Sequence, residues 1–320
     1  MAENDVPGEP AGPDVVLAGH ILNEKVVFPD RVLYPVLGSP VAYCSVCLAR
    51  LGADVGIVTK IGDDFPRRLL SVFHETGVDT AGVRVGGVST RNELIYQADG
   101  RKTLRFLSRA PSIEYPDVPE RFRRAKIIYV CPMDHEVSLE AIRQLSLLGV
   151  TMVVDLGGFG GATSADHPPA KDGAELRDLC PYFTVVKGSI EDLGHILGAS
   201  PTDEEAVAER MLGFGSGIVV VTLGARGAYV RTRERGAHYP PYLGEQADVV
   251  DQTGAGDCFS AGFLFEYGRT QDAFSATLYG NAVTSYVIER TGGVVAARMP
   301  GKDEADRRAD VIKSRIATKR

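Results

Sequence analysis

The sequence predicts an α/β protein with three layers (α/β/α), a mostly parallel central sheet and a small β-strand lid. Short runs rich in Val and Ile alternate with helical stretches along most of the chain. Such runs are typical of strands buried between two layers of helices in a parallel sheet. Two regions, near residues 25–37 and 88–107, are extended without an intervening helix, and they predict the lid.

Each predicted element depends on an apolar run and on the residues that bound it. Gly19 ends the first strand and Gly52 ends the first helix. In the lid, Asp99-Gly100 predicts a hairpin turn, with an ordinary surface hairpin as the alternative. Strands are predicted at 15–19, 55–61, 126–130, 150–156, 183–187 and 218–223, and helices at 40–51, 138–148, 190–197, 202–213 and 279–289.

Composition and charge disfavour several classes of protein. The 320 residues are 44% hydrophobic and 24% charged, with a formal net charge of -7. This acidic balance argues against nucleic acid as a partner. No run approaches the roughly 20 apolar residues of a membrane span, so no membrane association and a cytoplasmic location are expected.

The five cysteines are widely spaced, which indicates reduced thiols. Cys44-x-x-Cys47 lies in a run typical of a buried helix.

The most informative stretch is Thr253-Gly254-Ala255-Gly256-Asp257, between an apolar run and a helical one. Small residues let the backbone approach a ligand closely, and the free N–H groups at the start of a helix bind anions. A phosphate cradle beside a carboxylate suits phosphoryl transfer, in which the carboxylate accepts the proton of the attacking hydroxyl. We therefore predict Asp257 as the catalytic base and Gly254, Ala255 and Gly256 as the anion hole. The alternative is a helix cap without chemistry.

Other nucleotide-binding signatures are missing from the sequence. There is no Gly-x-x-x-x-Gly-Lys-Ser/Thr motif, and no Gly-x-Gly-x-x-Gly follows the first strand. A P-loop enzyme and a Rossmann dehydrogenase are therefore disfavoured. The six histidines show no spacing typical of a metal site.

With this string, the chain resembles the ribokinase-like, or PfkB, carbohydrate kinase family from about residue 15 to residue 293. The resemblance implies the three-layer ribokinase-like fold, a kinase domain at 14–300, and ATP and Mg²⁺ as cofactors. Residues 1–13, rich in Pro, Gly, Ala and Glu, are predicted to form a disordered tail, and 301–320 a charged C-terminal helix. In the family, the last Asp of the string is the base and the preceding turn is the anion hole.

The same resemblance assigns residues to the nucleotide half of the cleft. It implies that ATP contacts Lys187, Thr222, Gly224, Gly227 and Asn281. Lys187 could approach a phosphate as a point charge, or it could be a strand-end lysine that reaches solvent. Glu191 and Asp192 stand where the family has the Asn-x-x-Glu associated with magnesium. Asp251 and Thr253 match a loop that binds a monovalent cation such as K⁺ in some relatives.

The substrate half departs from the family pattern. Glu24 stands where the family usually has Asp, Gly38-Ser39 where it has Gly-Gly, and Tyr43 where Asn is frequent. Asn92 and Arg105 of the lid are further candidates for hydrogen bonds to an acceptor. Together with the strand at 91–96 and the segment Val154–Phe159, Tyr43 resembles the inositol-kinase-like branch.

Three functions remain open from the sequence. The first is an ATP-dependent kinase for a small sugar or polyol, with an inositol-like ring of hydroxyls as one option for the acceptor. The second is a nucleoside kinase, in which Phe28, Tyr34, Tyr43 and Tyr96 form a slot for a base. The third is a non-catalytic nucleotide or sugar sensor, because a fold alone does not prove activity. Lid strands with apolar outer faces also predict a homodimer.

Overall fold

The computed structural model describes residues 11–97, 102–161, 173–198, 203–242 and 249–318. Within them the strands are β1 Val15–Ala18, β2 Leu22–Val27, β3 Val32–Gly38, β4 Val55–Ile61, β5 Asp79–Val85, β6 Arg91–Tyr96, β7 Lys102–Ser108, β8 Ile127–Val130, β9 Thr151–Asp155, β10 Val185–Ser189, β11 Ile218–Thr222, β12 Ala228–Thr232 and β13 Gly236–Tyr239. The helices are α1 Pro40–Leu51, α2 Ser71–Thr76, α3 Leu139–Ser146, α4 Ala174–Leu179, α5 Ile190–Leu197, α6 Glu204–Gly213, α7 Ala255–Thr270, α8 Ala273–Ile288 and α9 Lys302–Thr318.

The main sheet has nine strands in the order β13-β12-β11-β10-β9-β8-β1-β4-β5. The strands from β11 to β5 pair in parallel, and β12 and β13 add antiparallel strands at one edge. From β1 the chain builds the sheet first through β4 and β5, and later on the other side through β8. The strand order therefore reverses beside β1, and in such sheets the crevice outside the carboxyl ends at this switch point binds ligands.

Two apolar clusters cover the two faces of this sheet, which confirms the predicted three-layer class. One joins α1, α7, α8 and α9 to the sheet, and the other joins α3, α4, α5 and α6 to the opposite face. The five cysteines are free and buried within the protein, as expected for reduced thiols that pack as small apolar groups. In the described residues, no helix is long and apolar enough to cross a membrane.

The lid is a separate sheet with the order β3-β2-β6-β7. Strands β2 and β6 run parallel, whereas β3 and β7 are antiparallel additions at the edges. Leu94, Leu104 and Phe106 form a small apolar cluster on one face. The predicted turn at Asp99-Gly100 lies outside the described residues. On β3, Val32, Leu33 and Tyr34 are about half exposed, and the homodimer through the lid stays a prediction.

Several elements differ from the sequence-based predictions. Strands β5, β12 and β13 were not predicted, because each mixes polar and apolar residues instead of forming a continuous apolar run. Helix α8 begins six residues earlier than predicted, at Ala273, because Asp272 accepts hydrogen bonds from the backbone of Phe274 and Ser275.

The predicted disordered tail at 1–13 is wrong for its last residues. Pro13 is buried, and its carbonyl oxygen accepts a hydrogen bond of 3.1 Å from Lys126 N. Gly12 lies so close to the backbone of Arg124 that a Cβ there would come within 2.3 Å of it. This packing orders residues 11–13, and residues 1–10 lie outside the described part of the chain.

Candidate active site

A cleft of about 260 Å³ opens at the carboxyl ends of the central strands, beneath the lid. Residues from the strand ends line the bottom of the cleft, Leu94 and Leu104 of the lid line its apolar wall, and the loop before α7 lines one further side. This loop and the start of α7 carry residues 252–257, which include the Thr-Gly-Ala-Gly-Asp string. The string predicted to bind phosphate and carry the base therefore lies at the topological switch point of the sheet, where ligands bind.

The loop before α7 leads into an open helix N-terminus. Gly254 is the N-cap of α7 with a φ of 76°, and among the described residues no side chain caps this helix. Asp257 lies in the first helical turn and lines the cleft. Ala255 N donates to Gln252 O at 3.1 Å. The rest of the uncapped first turn presents backbone N–H groups and the positive end of the helix dipole, which is the arrangement that binds phosphate.

The conformation of Gly254 is enforced by Tyr43. A Cβ at Gly254 would lie 2.4 Å from the Cδ1 atom of the buried Tyr43 ring. The ring therefore occupies the space that a side chain would need. Burial also raises the pKa of the Tyr43 hydroxyl, so this side chain stays neutral and acts as an apolar support for the turn.

Lys187 lies in the middle of β10, two residues before its carboxyl end, and lines the cleft beside α7. Its Nζ donates to Asp155 Oδ2 at 2.6 Å and to the carbonyl oxygen of Gly256 at 3.3 Å. Burial opposes the charge on Lys187, but Asp155, Asp257 and Asp192 outweigh it and raise its pKa. The alternative of a lysine that reaches solvent is wrong, because the side chain is 9% exposed. The site thus holds a fixed positive charge next to the predicted base.

We expect Lys187→Met to lower kcat by about 100-fold, the cost of losing one preorganised electrostatic contact. The substitution also leaves Asp155 as a buried carboxylate without its ammonium partner, which lowers the melting temperature. The double variant Lys187→Met/Asp155→Asn should regain most of that stability and none of the turnover. Steady-state kinetics and thermal melts of both proteins measure the two effects, and a double variant with restored kcat would contradict an electrostatic role.

The predicted magnesium residues separate in the structure. Asp192 lines the cleft, and its Oδ2 accepts a 2.7 Å hydrogen bond from Ser189 Oγ. Glu191 is exposed and does not line the cleft, because consecutive helix residues point in different directions. Among the described residues, no cluster of three His, Cys, Asp or Glu side chains could hold a metal by itself. A single carboxylate beside a phosphate cradle fits Mg²⁺, which binds mainly through phosphates and water.

The other predicted nucleotide residues are only partly brought together. Thr222 lines the cleft at the end of β11. Gly224 and Gly227 lie at the two ends of the turn after this strand, and they are not among the residues that line the cleft. Asn281 is buried in α8, where its Nδ2 donates to the carbonyl oxygens of Tyr239 and Pro240 at 3.0 and 3.1 Å. In this structure, Asn281 holds the end of β13 against α8.

On the acceptor side, Glu24 and Asn92 form a buried pair across β2 and β6. Asn92 Nδ2 donates to Glu24 Oε1 at 2.9 Å. Gly38 makes room for this carboxylate, since a Cβ there would lie 2.9 Å from Glu24 Oε2. Ser39 caps α1 by accepting from Ala42 N, although its φ of 115° is a conformation that favours glycine. Glu24 and Ser39 both line the cleft.

Arg105 does not line the cleft, which corrects the sequence-based prediction. It is exposed on β7 and pairs with Glu93, on the face opposite to Leu104 and Phe106. The reason is the period of two along a strand: Leu104 faces inward, so the next side chain faces outward. The predicted aromatic slot is not formed either, since Tyr96 stacks on Phe28 with ring centroids 4.9 Å apart, and Tyr34 is 53% exposed.

The predicted cation loop is engaged by protein groups. Thr253 N donates to Asp251 Oδ1 at 2.9 Å, and the Thr253 hydroxyl bonds the hydroxyl of Tyr96 at 2.9 Å. The carbonyl oxygen of Asp251 accepts a 2.9 Å hydrogen bond from the guanidinium group of Arg298. The loop before α7 is thus fixed at one end by the lid and at the other by Arg298.

A family model for the pfkB family carbohydrate kinases matches residues 44–298, which is most of the chain. The chain belongs to the pfkB family of carbohydrate kinases. It is therefore a phosphotransferase with a hydroxyl group as acceptor, and the alternative of a non-catalytic sensor is not retained. The match includes the Thr253–Asp257 string on which the resemblance was based.

Individual relatives cover almost the same length. The chain is 29% identical over 281 residues to a cytidine kinase from Thermococcus kodakarensis, covering 87% of this chain and 97% of that protein. It is 29% identical to an aminoimidazole riboside kinase from Salmonella typhimurium, covering 82% and 85%. The structure of Arabidopsis thaliana ribokinase superposes with a TM-score of 0.76 at 19% identity, covering 93% and 99%. This last likeness supports the fold.

Several cleft residues of this pfkB kinase were not assigned from the sequence. They are Leu94, Leu104, Pro132, Met133, Asp155, Ser189 and Gln252. For Asp155, a signal existed: a carboxylate directly after a buried strand lies at the carboxyl edge of the sheet, where ligands bind. Leu94 and Leu104 carried no such signal, because an apolar residue in a strand normally indicates core.

Proposed function

We propose that this pfkB kinase transfers the γ-phosphoryl group of ATP to a hydroxyl of a sugar ring, with Asp257 as the base. The observation that carries the proposal is the position of Asp257, which lines the cleft from the first turn of an uncapped helix. The buried ammonium group of Lys187 reaches the same turn through Gly256 O. Positive charge and a proton acceptor thus lie side by side, as phosphoryl transfer requires.

In the proposed reaction, the acceptor oxygen forms a bond to the γ-phosphorus while the bond to the β–γ bridging oxygen breaks. The proton of the acceptor hydroxyl passes to the Asp257 carboxylate, and ADP leaves with the bridging oxygen. The backbone N–H groups at Gly254–Gly256 stabilise charge on the transferring phosphoryl oxygens, with Lys187 as a further positive group. Mg²⁺, bound through phosphates and Asp192, would neutralise further charge. The lid excludes water, which limits hydrolysis of the donor.

The choice of ATP as donor rests on the family and on the nucleotide half of the cleft. Lys187 of β10, Asp192 in the first turn of α5 and Thr222 at the end of β11 line the cleft together with the Gly-Ala-Gly turn. The Arabidopsis ribokinase with the same fold was solved with ribose and ATP. This support makes ATP the first donor to test.

For the acceptor, a nucleoside is favoured over a free sugar or an inositol-like polyol. The acceptor half combines the carboxylate of Glu24, which Asn92 orients by a hydrogen bond from behind, with an apolar wall of Leu94, Leu104 and Met133. Ring hydroxyls suit the carboxylate, but a small polyol would leave the apolar wall without a partner. A base attached to the sugar would cover that wall. The named activities of the Thermococcus and Salmonella relatives, both nucleoside kinases, point the same way.

Leu104→Ala tests this choice directly. We expect it to raise KM for the preferred nucleoside by about 10-fold, because the base loses apolar contact area. The KM for free ribose should change less than about twofold, since ribose alone does not reach the wall. The measurement is ADP release with a panel of nucleosides, pentoses, hexoses and inositols, followed by kinetics of the best nucleoside and ribose.

Leu107→Ala is the matched control, because Leu107 is the same residue type on the same strand and is 44% exposed. It should leave both KM values unchanged. If the panel shows turnover of a hexose or an inositol and none of any nucleoside, the nucleoside assignment is wrong, while the kinase assignment stands. If the wild-type protein does not release ADP with any of the acceptors in the panel, the proposed function itself fails.

A further inference from the structure

Arg298 is a fully buried arginine. It is 1% exposed and is the largest side chain buried to this degree among the residues that the structure describes. It lies in a short turn, Ala296–Arg298, which follows α8 in the chain. Burying a charge of this size is costly unless several partners compensate it, so its partners indicate what it does.

The guanidinium group is surrounded by carbonyl oxygens from two segments. Nε donates to Val287 O in the last turn of α8 at 3.3 Å, and to Arg290 O two residues after the helix at 2.9 Å. Nη1 reaches Gly293 O at 3.5 Å. Val287 O lies at the negative end of the helix dipole, and a cation there compensates it.

The other end of the guanidinium group holds the loop that leads to the anion hole. Nη2 donates to the backbone oxygen of Asp251 at 2.9 Å and lies 3.4 Å from its carboxylate oxygen Oδ2. Oδ1 of the same carboxylate accepts from Thr253 N, directly before Gly254. The backbone of Asp251 also donates to Ile288 O at 3.1 Å. A chain of contacts thus runs from α8 through Arg298 and Asp251 to the first turn of α7.

We infer that Arg298 is a positioning residue that acts as a built-in cation for the anion hole of the proposed function. A ring of carbonyl oxygens with one carboxylate is the ligand set that a small monovalent cation would use, and here a guanidinium group occupies it. Guanidinium is a permanent cation with five donors, so it can satisfy carbonyls from both segments at once. The consequence is that turnover does not depend on added K⁺, in contrast to the cation loop expected from the sequence.

The first test uses wild-type protein and needs no variant. ADP release is measured with the best acceptor in tetramethylammonium buffer and again with added KCl at matched ionic strength. We expect the two rates to agree within about twofold, since the guanidinium group already supplies the cation. A rise of about tenfold or more with K⁺ would overturn the inference.

The second test removes the guanidinium group. Arg298→Ala should lower kcat by about 100-fold, like the loss of a donor in an anion hole, with a smaller change in KM for ATP. Guanidinium chloride or KCl at millimolar concentration should restore part of kcat, and Arg298→Lys should retain more activity than Arg298→Ala. A purely structural role would show no such rescue. Arg307→Ala, on α9 with a side chain that is 70% exposed, is the matched control and should behave as wild type.

The two tests also separate this inference from the proposed function. If the wild type turns over any acceptor and Asp257→Asn loses this activity, the kinase mechanism is supported, whether or not the rate depends on K⁺. If Arg298→Ala does not fold, the K⁺ titration of the wild type still decides the question. Wild-type rates that are independent of K⁺, together with rescue of Arg298→Ala by a small cation, support the built-in cation. Arg298→Ala with unchanged kcat overturns it.

Discussion

Replacing Asp257 by Asn is expected to lower kcat by about 1,000-fold, within the range for loss of a general base. Asn has nearly the shape of Asp and serves equally well at a helix N-terminus, so the fold and the melting temperature should be retained. KM for ATP should change little, because in the proposed mechanism the phosphate contacts come from the backbone and Lys187. Steady-state ADP release and a thermal melt measure these effects.

The matched control is Asp272→Asn, which makes the same chemical change at the N-cap of α8. Asp272 accepts hydrogen bonds from Phe274 N and Ser275 N, and Asn can accept similar ones. Its kcat should equal that of the wild type. An Asp257→Asn protein with near-normal turnover would reject Asp257 as the base and leave the anion hole as the main source of catalysis.

Gly254→Ala should lower kcat by about 100-fold, comparable to the removal of a donor from an anion hole. Two physical effects combine at this position. The φ of 76° is a left-handed conformation that costs an L-residue roughly 1–2 kcal/mol. In addition, the new Cβ would lie 2.4 Å from the buried Tyr43 ring, so the turn or the ring must move. Kinetics and chemical denaturation separate the loss of turnover from the smaller loss of stability.

Gly268→Ala is the comparison for this variant. Gly268 lies in α7, and a Cβ there would meet only the side chain of Ile127 at an ordinary distance of 3.5 Å. Alanine is a better helix former than glycine, so stability should be equal or slightly higher and kcat unchanged. If Gly254→Ala retains wild-type kcat, the conformation of this turn is not what stabilises the transferring phosphoryl group.

The lid and the main sheet contribute different parts of the proposed chemistry. The main sheet and α7 supply charge: Lys187, Asp192 and the open helix N-terminus lie at the carboxyl ends of the strands. The lid supplies shape, through the Glu24–Asn92 pair and the apolar wall of Leu94 and Leu104. Substitutions in the lid should therefore alter acceptor choice, whereas substitutions in the sheet should alter kcat.

The amino-acid sequence by itself determined the fold class and the location of the string Thr253–Asp257, which carries the proposed chemistry. Alternation of buried runs and helices is a local pattern, and the structure confirms the parallel sheet that it predicts. The Thr253–Asp257 string is also local: glycine, a turn and the start of a helix are adjacent in the chain, so their geometry follows from the residues themselves. The family assignment depended on this string and is confirmed along most of the chain.

Only the tertiary structure decided the partners of the charged residues. Lys187 and Asp155 are 32 residues apart, Arg298 and Asp251 are 47 apart, and Glu24 and Asn92 are 68 apart. Pairing over such distances depends on strand order and on the direction of each side chain, which a local pattern does not contain. For the same reason Arg105, a plausible substrate ligand in the sequence, faces outward, while the unremarkable Leu104 beside it faces the cleft.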